Sequence, residues 1–114
     1  MDYSKLSDFE INGMVASFTQ SPGDHTQTSN ETFIHEYADI GEIKGLCIGW
    51  KKFDPCNNPA DAWPIIVENN ISISNGGAER WTANDVGIDN LYKDKNPLRA
   101  AMIVFLLTRG AHHA

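Results

Sequence analysis

Cysteine is scarce in this chain of 114 residues, at two, and Lys and Arg together number nine against fifteen Asp and Glu. Two thiols, Cys47 and Cys56, are too few for a small disulfide framework and suit a reduced, cytosolic protein. The shortage of cations leaves no basic stripe to neutralise phosphates, so direct nucleic-acid binding is not expected. Long apolar runs are missing as well. The longest spans residues 100–107, far short of a bilayer crossing, and no apolar segment follows a basic start at the N-terminus MDYSKLSDFE. Neither membrane attachment nor an export signal is therefore read. Catalytic signatures are also lacking: there is no Gly-x-Ser-x-Gly, no Cys-His signature and no phosphate loop. Gly76-Gly77 has no Lys-Ser/Thr after it and reads as a hairpin turn. His25, His35, Cys47 and Cys56 are too irregularly spaced for a zinc motif, so no metal and no cofactor is expected.

What is present is globular. Apolar residues make up 41% of the chain and charged residues 21%, with three Trp and five Phe as bulky core material. A chain of this size forms one domain, expected over residues 1–110, that buries roughly two-thirds of its unfolded surface. Residues 111–114, with two adjacent His, read as a loose tail. The net charge is −6, and the acid is concentrated early. Over residues 1–46, eight acidic residues face two basic ones, Lys5 and Lys44. Such a face serves solubility, engages a basic protein surface or imitates a phosphate backbone.

Local signals place three helices. Ser7-Asp8-Phe9-Glu10 is a capping box, with Leu6 and Ile11 set as a hydrophobic staple, and the helix it starts should end near Phe18 or Thr19. Gly13 inside it weakens the helix by about 1 kcal/mol relative to Ala. Asn58-Pro59 starts a second helix, with Ala62, Trp63, Ile66 and Val67 as the expected buried stripe and Asn69-Asn70 as the stop. Pro64 is an awkward guest there, and implies a bend or a start delayed to Asp61. Asn96-Pro97 starts a third helix that is apolar on nearly every face, with Gly110 closing it.

Between them lie strands. Residues 20–31 read as an exposed loop or hairpin tip. Residues 32–40 and 43–50 form a hairpin about Gly41-Glu42; Phe33, His35 and Tyr37 alternate with Ile34, Glu36 and Ala38, and either set can face inward. Residues 71–74 and 78–84 pair about Asn75-Gly76-Gly77, and 85–95 is a polar loop pinned by Ile88, Leu91 and Tyr92. The expected fold is α+β, a small antiparallel sheet of about four strands with three helices in the order α-β-β-α-β-β-α.

The densest polar cluster beside bulky aromatics is FDPCNNPADAW, residues 53–63. It is first of all turn chemistry and a helix cap. As a site, Asp54, Asn57, Asn58, Asp61 and Trp63 would present free amides and an aromatic face to an anion or nucleobase, with Arg99 as a cationic clamp. Arg99 can equally pair with Asp54, Asp61 or Glu68. Trp50 and Trp81 read as core or sheet-face residues rather than a stacking platform.

The stretches FDPCNNPADAWPIIVENNISI, KNPLRAAMIVFLL and DYSKLSDFEIN resemble the phage NinX family, small proteins of unknown function from lambdoid-type phages and prophages. Related phage proteins with an α/β sandwich share the plan of a Pro-started helix, a hairpin and a closing apolar helix. The resemblance covers both ends and the centre, about half the chain, and leaves residues 20–50 unmatched. It brings no catalytic residues; what it implies is an accessory phage product acting in the host cytoplasm. Three functions follow in order. The first is a non-enzymatic inhibitor of a host protein, an anti-defence factor of the anti-CRISPR kind, engaging its partner through Asp24, Glu31, Glu36, Asp39 and Glu42. The second is a sponge for a nucleotide-derived immune signal held at residues 54–63 with Arg99, with a homo-oligomer interface as one setting. The third is a nucleotide-directed enzyme using Asp54 and Asp61.

Overall fold

A computed structural model describes residues 2–77 and 80–111. After a 3-10 turn at Tyr3–Lys5, helix α1 spans Asp8–Thr19. Its capping box is closed: the Ser7 hydroxyl accepts from the Glu10 amide and the Glu10 carboxylate from the Ser7 amide, each at 3.1 Å. Ile11, Val15 and Ala16 on its inner face are fully buried. Gly13 belongs to that face for a steric reason. A Cβ there would collide with the Gln27 amide, which donates to the Phe9 carbonyl at 3.1 Å and so fastens the following strand to α1.

Two antiparallel sheets follow, each of three strands. Strands β1 (His25–Gln27), β2 (Thr32–Ile40) and β3 (Ile43–Lys52) form the first in that order. Helix α2 (Pro59–Glu68) then leads to β4 (Ser72–Asn75), β5 (Trp81–Asn84) and β6 (Leu91–Asp94), the second sheet, and to α3 (Pro97–Ala111). The α+β class and the element order match expectation; the single four-stranded sheet does not. β1 escapes a reading by hydrophobicity because His25-Thr26-Gln27 has no apolar residue, and β6 because Leu91–Asp94 is embedded in polar loop. Both are recruited by a neighbouring strand's ladder rather than by a pattern of their own.

Helix α3 is the centre of the molecule. Ala100 through Leu106 are all buried, between α1 and α2 and the second sheet. Ala83 of β5 is fully buried against this helix layer, with Ile73 and Tyr92 partly so. Leu91 and Ile88 are not pinned to the core as expected: both are exposed, and Ile88 sits at φ +57° in a turn outside the sheet. α3 also runs one residue past Gly110, to Ala111; residues 112–114 of the expected tail, and Ala78 and Glu79 of the expected strand, lie outside the described residues.

Helix α2 begins at Pro59 and passes through Pro64, so of the two expectations there, a bend or a start delayed to Asp61, the delayed start is not what is seen. It ends in a Schellman turn: Asn70 takes φ +53° and the Ile71 amide donates to the Ile66 carbonyl at 3.0 Å. The buried stripe is Asp61, Ala62, Ile65 and Ile66, rotated by one residue from the stripe expected. Trp63, at 62% exposure, and Val67 therefore face outward.

The first sheet is attached at one end only. Its root is held through β1 and β2 against α1, while all ten residues of β3 are exposed. The β2–β3 hairpin thus projects as an arm, and the molecule measures 53 × 27 × 24 Å. Register shifts after Glu36 and after Ala38 each insert one extra β3 residue, and Gly45 takes φ +63° at the second.

Candidate functional site

Five of the six residues expected to bind a ligand meet at the junction of the three helices, and their polar groups are already engaged. Asn12 of α1 is buried; its amide donates to Asp54 at 2.7 Å and its oxygen accepts from the Cys56 amide at 3.1 Å. Asp61 accepts from the Asp54 backbone amide at 2.9 Å, which draws that carboxylate inward and turns Trp63 out on the same helix. Asn57 donates to Asp8 and to Asp54, each at 3.1 Å. Asn58 and Asn96 cap α2 and α3, accepting from the Ala60 and Leu98 amides at 3.0 and 2.9 Å. Asn96 also donates to the Cys56 carbonyl at 2.6 Å, tying one helix start to the other.

Arg99 forms ion pairs, but its partners are Asp8 at 2.7 Å and Asp94 at 3.8 Å rather than Asp54, Asp61 or Glu68. It also donates to the Leu6 carbonyl at 2.7 Å. The side chain is mostly buried and clamps the N-terminal segment to α3 and β6. Beside it, burial pushes the Cys56 thiol far above its ordinary range. A crevice of about 180 Å³ lies over this junction, lined among others by Asp8, Asn12, Asp54 and Asn57. Trp63 is not part of it and lines a separate groove with Val67, Ile71 and Val86. The pairings of Asn12 with Asp54 and Cys56, of Asp8 with Asn57 and Arg99, and of Asn96 with Cys56 escaped a sequence reading because the partners are distant in the chain.

The five acidic residues read as a partner surface are gathered in the first sheet and its loops. Glu31 pairs with Lys52 at 3.4 Å and Asp39 with Lys44 at 3.8 Å, both exposed. Asp24 accepts from the Tyr37 hydroxyl at 2.9 Å, and this bond raises the tyrosine pKa. Glu36 and Glu42 stand exposed on the arm.

One face of the arm is aromatic. His35 stacks on Trp50 at 5.0 Å with 11° between the rings, and Phe33 and Tyr37 flank this pair at 6.2 and 6.4 Å. Trp50 remains 53% exposed and Tyr37 46%. Hydrogen bonds fix the row, since His35 Nε2 contacts the Thr26 hydroxyl at 2.7 Å and Asp24 holds Tyr37. The signal for this row was the period-two alternation of residues 33–38; with apolar residues on both faces, the alternation could not say which was bare. Trp50, read as a core or sheet-face residue, is on the sheet face and solvent-exposed.

Among the described residues, no helix is long and apolar enough to cross a membrane, and no group of three or more His, Cys, Asp or Glu is placed to hold a metal ion. No curated protein and no solved structure gives a significant match to this chain. A family model described as Bacteriophage P22, NinX matches residues 2–109 and runs through the segment 20–50 where no family motif was legible, so the chain belongs to the phage NinX family.

Proposed function

We propose that this phage protein is a non-enzymatic binder acting in the host cytoplasm, that its partner is a host protein, and that the interaction is an anti-defence one of the anti-CRISPR kind. The observation that carries the reading is the aromatic row of the projecting arm, with Trp50 and Tyr37 about half exposed. Tyr and Trp dominate the binding energy of protein interfaces because each adds a large contact area for few lost rotamers. Here much of that ordering precedes binding, since Asp24, Thr26 and the His35–Trp50 stack already hold the side chains. Glu36 and Glu42 on the same arm favour a basic target, of the sort proteins that handle nucleic acid present. The ligand-sponge reading at residues 54–63 has less in its favour, because its amides and Arg99 are spent in holding the helices together.

Affinity capture from host lysate tests this directly. The native chain should retain one stoichiometric protein, and Trp50→Ala with Tyr37→Ala should weaken that retention at least about tenfold while circular dichroism stays native. A partner held equally by the variant, or no partner at all, would sink the reading.

A further inference from the structure

A crevice of about 380 Å³ opens where the three helices meet the root of the first sheet, and it shares only Phe53 with the smaller one over the helix junction. That volume is within the range of small-molecule sites. Its floor is core. Phe53, Ile65 and Phe105 are each at most 7% exposed, and Phe18 stands edge-on to the Phe105 ring at 6.5 Å. On the sheet side it is closed by Ile34 and its cross-strand partner Lys51. Four charged side chains also line it, Lys51 of β3, Arg109 of α3, and Asp61 and Glu68 of α2, and none forms an ion pair among the described residues.

Two of these charges are only half used inside the protein. Asp61 is 8% exposed; one carboxylate oxygen accepts from the Asp54 amide at 2.9 Å, and the other accepts nothing among the described residues. Arg109 lies over the Phe105 ring at 5.0 Å, with its Nε buried and without a hydrogen-bond partner. Buried polar groups left in this state are costly unless something else satisfies them. The fold holds an acceptor on α2 and a donor on α3 at one apolar crevice, and does not pair them with each other. We infer that the crevice binds a free α-amino acid with a large apolar side chain. Its ammonium group meets Asp61 and Glu68, its carboxylate meets Arg109 and Lys51, and its side chain lies among the Phe18, Phe53 and Phe105 rings. The mixture of signs selects this class. An apolar cation would face Arg109 and Lys51, an apolar anion would face Asp61 and Glu68, and a neutral molecule would leave all four unanswered. An α-amino acid carries both charges on one carbon beside its apolar group. Such a ligand also bridges α2 and α3 to Lys51 and Ile34, and so braces the root of the arm against the body.

Isothermal titration of the native chain with L-phenylalanine and with L-leucine should show at least one of them bound, one molecule per chain, at or below about 1 mM. The N-acetyl derivative of the bound amino acid lacks the ammonium charge and its amide lacks the carboxylate charge. Each should bind about tenfold more weakly or worse, because each leaves a charged partner unmet. Glycine should fall by a similar factor for want of a side chain to bury. Asp61→Asn, which keeps an acceptor for the Asp54 amide, and Arg109→Met, which keeps an apolar stem over Phe105, should each weaken binding about tenfold with native circular dichroism. Failure of the native chain to bind either amino acid would overturn the proposal. So would a derivative that binds as tightly as its parent, or a folded Asp61→Asn or Arg109→Met that binds like the native chain. The derivatives are read on the native chain, so the test stands even where a variant does not fold. Host-protein capture reads the aromatic row on the opposite face of the first sheet, so either proposal can fail alone.

Discussion

Asn12 shows how much one side chain can hold. Its amide and its oxygen are both used inside the protein, on the Asp54 carboxylate and the Cys56 amide, and both partners lie more than forty residues away. Its neighbours also reach across the chain: Asn96 reaches Cys56, and Arg99 reaches Asp8 and Leu6. Removing one member leaves buried groups unpaired, and that penalty exceeds the net worth of the bond itself. Asn12→Ala should therefore cost about 1–3 kcal/mol, measured by urea unfolding, since it strands the Cys56 amide and takes from Asp54 Oδ1 the shorter of its two donors, leaving it to Asn57. A loss within the ~0.5 kcal/mol typical of surface changes would mean that the junction is not the clamp described.

At the scale of elements, most starts and stops are built from residues adjacent in the chain. The Ser7 box, the Asn58 and Asn96 caps and the Asn70 turn are each complete within five residues. That is why they were legible. Helix α2 is the exception, because two of its features are set from outside. Asp61 is drawn inward by the Asp54 amide, which rotates the buried stripe by one residue and leaves Trp63 in solvent. Pro64 has no N–H to give the Ala60 carbonyl, yet the helix continues through it because Ile65 and Ile66 are buried and the Asn70 turn closes the far end. Pro64→Ala should restore that bond and relieve the ring's crowding of the preceding turn. We expect stabilisation of about 1 kcal/mol or more, seen as a higher melting temperature. A lower melting temperature would show that the proline ring contributes more by packing than it costs the helix.

For the whole molecule, the division between body and arm is the main fact. The body is α3 surrounded by α1, α2 and the second sheet, while the far half of the first sheet touches little but itself. Local stability follows local burial, so the arm should open more readily than the body. Replacing residues 37–47 by an Asn-Gly turn should leave a chain that melts cooperatively within a few degrees of the native one, followed by circular dichroism in dilute solution. Loss of cooperative melting would show that the arm supports the body.

The sequence by itself determined the class of the fold, the order of its main elements, the three helix starts and the apolar identity of α3. Capping boxes, Asn-Pro starts and Asn-Gly turns act within a few residues, and a continuous apolar helix has nowhere to go but the centre. Only the tertiary structure decided which polar groups are paired, which side of α2 is wet and which sheet faces are bare. Those outcomes depend on where distant segments arrive. Asp8 and Arg99 stand 91 positions apart with no local sign that the two will meet, and the alternation in β2 does not reveal that its arm runs past the end of the core.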